Sequence, residues 1–305
     1  MSQTIVAVIS SYNANPAFLK TQMDSILGQT IPVRLFVRDD GSTNQGTLDI
    51  LREYERQGLI QVSFGENLGF ERGFMEALRL APPADYYAFC DQDDQWLPER
   101  AACAMELLEQ LSSTNKDTPR LYCSRLLICD DHMEVVERQA DQPYMGTFDN
   151  ALTESAIPGM AMFLDAQLRE QLIRVNAATI PGHDWLAYVV AAGLGKVVVG
   201  PRETVLKRRH ADSVSAGGMT FFSLLKFRLQ KFVLGDGLRK VRTMYAECDR
   251  LYGELLSSDD RFILRQFALP NSPRKAFHKL FWKRRYRSRM ADEIAVRMMF
   301  VLGKL

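Results

Sequence analysis

The stretch YYAFCDQDDQW, Tyr86 to Trp96, decides how the rest of the 305-residue chain is read. Its first five residues, Tyr86 to Cys90, are apolar or aromatic and predict a buried strand. The strand feeds directly into Asp91-Gln92-Asp93-Asp94, three carboxylates that repel one another unless a cation or basic side chain neutralises them. Outward toward the N-terminus, Ile5 to Ile9, Val33 to Val37 and Gln61 to Phe64 also read as strands. Helical spacing through Leu19, Met23, Ile26 and Leu27, through Leu48, Leu51 and Tyr54, and over Phe70 to Leu80 separates them. This alternation predicts an α/β fold with a mostly parallel sheet covered by helices on both faces, and ligands bound beyond the carboxyl ends of the strands. After a helix from about Glu99 to Leu111, strands at Leu121 to Cys129, Gly159 to Leu164 and Val197 to Val199 complete a mixed sheet. From Phe221 onward, helical periodicity broken by Gly235, Gly237, Pro270 and Pro273 predicts two or three amphipathic helices.

With 47% hydrophobic and 25% charged residues the chain has a globular composition, which excludes disordered and fibrous classes. Its net charge of +1 hides a division. Residues 218–305 hold 19 Lys/Arg against 8 Asp/Glu, and residues 1–217 hold 19 against 29. The reading is therefore of two parts, 1–217 as the catalytic unit and 218–305 as a basic helical region. Five cysteines without CxxC spacing argue against zinc or redox chemistry and for a reduced, cytoplasmic setting. The first residues lack the pattern of a secretory signal, and the longest apolar run, Leu186 to Val199, is interrupted by Lys196 and several glycines, so any membrane contact is expected to be peripheral.

Two polar motifs close strands at the expected ligand edge. Asp39-Asp40-Gly41-Ser42 offers carboxylate acceptors to base imino or ribose hydroxyl donors, although Asp and Gly also simply make good turns. The Asp91 to Asp94 cluster suits a hard cation, which binds through one or two protein carboxylates and the oxygens of a substrate diphosphate. A solvated acidic loop that caps the following helix is the alternative.

Together these residues resemble the inverting family 2 glycosyltransferases of the A-type nucleotide-binding fold, and their bacterial rhamnosyltransferase branch in particular, over residues 3–217. Tyr12-Asn13 matches the pair that closes the first strand, Asp39 to Ser42 the Asp-Asp-Gly-Ser turn, Asn67-Leu68-Gly69-Phe70 the Asn-x-Gly element, and Asp91 to Trp96 the Asp-x-Asp-Asp metal motif. The resemblance implies nucleotide contacts for Tyr12, Asn13, Asp39, Asp40, Asn67, Gly69 and Asp91, and a Mg²⁺ or Mn²⁺ ligand in Asp93. It also implies sugar contacts for Asp94 and Trp96. His183-Asp184-Trp185 is similar to the branch's His-Asp-Trp segment, so Asp184 is the expected base, with His183, Trp185 and Gly159 near the sugars; outside that context His183-Asp184 would read as a helix cap. Lys207 to Ser213 resembles a Tyr-Arg-Gln-His-Gly-x-Asn stretch in which only Arg208 and His210 are kept, the first implied near the diphosphate and the second as a metal ligand.

The implied reaction is metal-dependent transfer, with inversion, of a sugar such as rhamnose from dTDP-rhamnose or another nucleotide sugar to a glycan or lipid-linked acceptor, in cell-surface polysaccharide assembly. A phosphohydrolase using Asp91 and a non-catalytic nucleotide-sugar or lipid-binding module are the alternatives. Residues 274–289 carry eight cations interleaved with aromatic residues and no acid. That composition predicts contact with the inner face of the cell membrane rather than with nucleic acid, a homo-oligomer being the other use.

Overall fold

The structure, a computed structural model, describes residues 3–112, 118–139, 146–209, 237–268 and 271–302. Its first half follows the apolar alternation closely. Strands β1 (Ile5–Ser11), β2 (Arg34–Asp39), β3 (Gln61–Phe64) and β4 (Tyr86–Cys90) pair in parallel in the order β3-β2-β1-β4. Helices α1 (Pro16–Leu27), α2 (Gln45–Arg56) and α3 (Phe70–Leu80) make the crossovers. Asn15 caps α1 by accepting from the Ala17 and Phe18 N–H groups, and Asn44 caps α2 through the Thr47 N–H. β1 and β4 are apolar on both faces and nearly fully buried, as central parallel strands should be.

Beyond β4 the sheet becomes mixed, as expected. The two-residue β5 (Gln95–Trp96) leads into α4 (Arg100–Ser112), followed by β6 (Arg120–Cys129), the edge strand β7 (Val135–Arg138) and the short helix α5 (Phe148–Ala151). A 3₁₀ turn at Gly159–Ala161 precedes β8 (Met162–Asp165), so the strand begins three residues later than the sequence suggests. Then come α6 (Ala166–Leu172), α7 (His183–Leu194) and β9 (Lys196–Arg208). β8 lies antiparallel to both β4 and β6, β9 lies parallel to β6, and β5 pairs antiparallel with the far end of β9. The strand expected at Val197 to Val199 thus runs thirteen residues and carries Lys207 and Arg208 back to the acidic loop.

Four C-terminal helices are described, α8 (Gly237–Tyr252), α9 (Ser258–Ala268), α10 (Pro273–Leu280) and α11 (Met290–Val301), where two or three were expected. The expected boundary at 217/218 lies outside the described residues. Buried residues of these helices, among them Met244, Tyr245, Ile263, Phe267 and Phe300, belong to the same apolar core as Val8, Phe89, Leu164 and Leu186. α5 joins the two parts: the Trp282 indole donates to Asp149 at 2.6 Å, Arg284 pairs with Asp149 at 2.9 Å, and the Asn150 amide donates to the Tyr286 carbonyl at 2.8 Å.

The basic stretch 274–289 is less open than its composition implies. Arg284 also pairs with Asp260, Arg287 with Glu154 and Lys283 with Asp259. Lys279 is 1% exposed, its ammonium 5.2 Å from the ring centroids of both Phe267 and Phe300, and burial pushes its pKa down to about 8. The acids that meet these cations come from α9 and the α5 region, far away in sequence. Arg274, Arg285 and Arg289 are exposed. All five cysteines are buried free thiols. Among the described residues no helix is long and apolar enough to cross a membrane.

Candidate active site

The carboxyl ends of β1, β2 and β4 meet at one edge of the sheet, and their terminal residues are tied together by side chains that bond to backbone. Asn13, in left-handed backbone conformation at φ 43°, accepts through Oδ1 from the Thr43 and Asn44 N–H groups at 2.8 and 2.9 Å, while its own N–H donates to Ser42 Oγ at 2.9 Å. Its side chain therefore fixes the turn after β2. Gly41 makes that turn possible: its φ is 79°, and a Cβ there would lie 2.8 Å from the Asn67 nitrogen. Asp39 accepts from the Ser42 N–H at 3.0 Å through Oδ2, and its Oδ1 is buried without a donor. A buried acceptor left without a donor at the sheet's ligand edge calls for an N–H or O–H from outside the chain.

Asp40 serves the loop. Its carboxylate pairs with the buried Arg38 guanidinium and accepts from the Leu68 and Gly69 N–H groups, each at 2.9 Å. With both oxygens engaged, it organises the Asn67-Leu68-Gly69 segment rather than offering itself to a nucleotide. Asn67 and Tyr12 are exposed. Gln92, which the sequence reading passed over, exchanges two bonds with the Tyr12 backbone at 2.9 and 3.3 Å and so locks the acidic loop to the end of β1.

The acidic cluster is short of positive charge. Burial and the neighbouring Asp93 carboxylate push Asp91 up to about 7, Asp184 adding to the effect and Lys207 opposing it. Burial, then Asp91 and Asp93, raise Asp94 well above the carboxylate range, with Lys207 and the Arg208 N–H opposing. Asp94 Oδ1 accepts that N–H at 3.0 Å, and its Oδ2 is buried without a donor. Among the described residues no three His, Cys, Asp or Glu side chains form a ligand set of their own. The donors present, neighbouring carboxylates whose mutual repulsion Lys207 only opposes, would suit a hard cation that takes one or two protein oxygens and completes its shell with diphosphate and water.

Arg208 was expected at the diphosphate, but its guanidinium is engaged inside the protein. It donates to the carbonyls of Asp93, at 2.9 Å, and Asp131, and lies 3.8 Å over the Phe18 ring. Lys207, set aside in the sequence because tyrosine is usual there, is the cation that faces Asp91 and Asp94. Its role depends on β9 reaching back to the loop, which no local pattern reveals. His210 lies outside the described residues.

Trp96 is 1% exposed, its ring 4.5 Å from the Arg100 guanidinium and 5.5 Å from Phe163, and it offers no face to a sugar. Asp184 lies in the first turn of α7, one residue after the start, Gly182 being the cap. It is partly exposed, accepts from the Trp185 N–H at 2.7 Å, and stands near enough to Asp91 for their charges to interact. His183 before it is buried: its ring stacks on Phe74 at 4.2 Å, meets Phe89 edge-on at 4.7 Å, and has no partner for either nitrogen. Burial lowers its pKa, so the ring is neutral at physiological pH. Gly159 supplies the space for it, since a Cβ there would lie 2.4 Å from Nε2. The Trp185 indole donates to the Ala151 carbonyl at 2.7 Å. His183 and Gly159 are buried behind Asp184, whereas Trp185 is partly exposed and anchored by its indole. Phe70, 61% exposed with its ring 5.4 Å from His183, is an aromatic side chain of this region that reaches solvent.

Comparison with known proteins places the fold among glycosyltransferases. Residues 6–120 match the family described as Glycosyl transferase family 2. The chain is 24% identical over 314 aligned residues to the dTDP-rhamnosyl transferase RfbG of Shigella flexneri, covering 97% of this chain and 99% of that protein. It is 28% identical over 179 residues to TuaG of Bacillus subtilis, described as a teichuronic acid biosynthesis glycosyltransferase, covering 57% of this chain and 68% of that one. Residues 1–349 of S. aureus TarS, solved in complex with UDP-GlcNAc, share the fold at a TM-score of 0.57 and 13% identity, over 99% of this chain and 88% of that one.

Proposed function

We propose, from the premise that residues 6–120 form a Glycosyl transferase family 2 domain, that the chain transfers a sugar from a nucleotide-diphosphate donor to an acceptor hydroxyl with inversion at C1. The observation that carries this reading is convergence: Asp184, at the start of α7, lies within charge interaction of Asp91, at the end of β4. On this reading a proton acceptor and a diphosphate-end carboxylate lie within electrostatic reach of each other. Asp39 receives the base through its orphan oxygen, while Asn13 and Gln92 hold the surrounding loops in place. Asp184 takes the proton of the acceptor hydroxyl as the oxygen attacks C1, and the nucleotide diphosphate leaves on the opposite face. Asp93, with Asp91 or Asp94, would hold Mg²⁺ or Mn²⁺, which when bound supplies Lewis-acid stabilisation of the diphosphate charge. Lys207 adds a fixed positive charge on the same side.

Rhamnose carried by dTDP is the proposed donor, supported by the near full-length likeness to a dTDP-rhamnosyl transferase. The acceptor is a glycan or lipid-linked saccharide of the cell surface, met at the inner membrane face through residues 274–289, where Phe277, Phe281, Arg274, Arg285 and Arg289 are exposed. Use of Asp91 as a phosphohydrolase nucleophile is the second reading, which release of inorganic phosphate from a phosphomonoester would favour. The deciding experiment follows release of free nucleotide diphosphate and of glycosylated acceptor across a panel of nucleotide sugars with Mg²⁺ or Mn²⁺. Transfer that persists at the wild-type rate in Asp184→Asn rejects the base assignment. Binding of the donor without any transfer would leave the chain a binding module.

A further inference from the structure

α11 has two apolar faces, and among the described residues only one of them is packed against the body of the protein. Val296 and Phe300, with the Glu293 side chain between helix and loop, are buried against the C-terminal core. On a helix turning about 100° per residue, Met290, Ile294, Met298 and Val301 fall within about 80° of arc on another side. These four and the following Leu302 are between 55% and 67% exposed. Phe277 and Phe281 on the adjoining α10 are 59% and 66% exposed, with ring centroids 4.6 Å apart. Seven large apolar side chains on two packed helices are more than scattered surface exposure accounts for.

The charges nearby select among occupants. Arg285 and Arg289, both exposed, lie in the segment that leads into α11, and Arg274 is exposed at the start of α10. A twofold contact between two copies would bring the same patch against itself, and its cations with it. An anionic lipid surface accepts both the apolar face and the cations. At twelve residues α11 is about 18 Å long, too short to span a bilayer, so it would lie in the interfacial plane.

We infer that the outward face of α11, with Phe277 and Phe281, is an interfacial seat for an anionic membrane, and that the exposed arginines orient it. This deepens the proposed placement at a membrane by moving the main contact from the cations of residues 274–289, most of which are bonded internally, to the apolar arc of α11. It does not depend on the transfer reaction. The test is flotation of the whole protein with phosphatidylcholine vesicles that contain or lack phosphatidylglycerol. Wild type is expected to float with the anionic vesicles; Ile294→Glu/Met298→Glu lowers bound protein about tenfold or more at unchanged melting temperature, and Arg285→Glu/Arg289→Glu removes the preference for phosphatidylglycerol. If the α11 variant floats as well as wild type, this inference fails and the membrane placement stands. If wild type floats with neither vesicle, both fail. A lipid-free wild-type dimer that the α11 variant converts to monomer would assign the face to a second copy and overturn the inference.

Discussion

Gly159→Ala tests the link between packing and chemistry at its tightest point. The added methyl would lie 2.4 Å from His183 Nε2 and 3.3 Å from both flanking ring carbons, so one of them must move by about 1 Å to reach ordinary contact. The ring cannot easily yield, because Phe74 stacks on it at 4.2 Å and Phe89 abuts it at 4.7 Å. Overpacking of this kind costs about 1–3 kcal/mol. Strain relieved by shifting the first turn of α7 would carry Asp184 with it, and a 1 Å misplacement of a reacting group lowers the rate on the order of 100-fold. Urea unfolding and single-turnover transfer measure the two effects. The double variant Gly159→Ala/His183→Ala removes the obstacle, and its loss of stability should fall short of the sum of the single losses by about 0.5–3 kcal/mol. Strict additivity, or a Gly159→Ala protein within about 0.5 kcal/mol of wild type that transfers normally, would refute the account.

Asp93→Ala should abolish transfer while leaving the melting temperature unchanged; metal-dependent transfer at the wild-type rate contradicts its role. Asp40→Ala strands the buried Arg38 guanidinium and two backbone donors, and should cost roughly 3–5 kcal/mol in chemical unfolding. Lys207→Ala should raise the donor KM about tenfold and move Asp91 further up, since Lys207 is the positive charge that opposes its protonation. Because Asp91 is raised to about 7, the folded state keeps a proton that the unfolded chain releases. Without divalent cation, stability should therefore fall as pH rises from about 4 to about 7, and Asp91→Asn should flatten that slope. Mg²⁺ with nucleotide diphosphate should reverse the loss and release protons, measurable by calorimetry in two buffers of different ionisation enthalpy.

The first four strands and their helices are legible because burial on both faces leaves continuous apolar runs, and the ligand edge follows from where those runs end. β5 is not legible: two residues become a strand only because Gln95 and Trp96 pair with Leu206 and Val205, some 110 positions away. The same distance hides Lys207 from any local reading. The turn residues were identifiable by type but not by task. Asn13 and Gln92 work through backbone bonds across about 30 and 80 residues, whereas Asp40, which looked like a ligand acceptor, had Arg38 two positions earlier as a partner. Trp96 and His183 illustrate a further limit, since a motif shows that a residue belongs to a site without showing whether it faces substrate or core. The basic tail reads as a cationic surface only while Asp149, Glu154, Asp259 and Asp260 are out of view.

Four residues, Phe148–Ala151, set a rule for anyone recombining this enzyme with its relatives. Asp149 and Asn150 grip the loop before α11, while the other side of Asn150 receives the Tyr188 hydroxyl at 2.7 Å and Ala151 receives the Trp185 indole, both from α7, whose first turn holds Asp184. A hybrid that takes its C-terminal helices from one parent and this short helix from another would inherit a mismatched joint directly behind the turn that holds Asp184. Crossovers should keep 148–151, 183–188 and 282–286 from a single parent, or the hybrid will fold with that turn out of register.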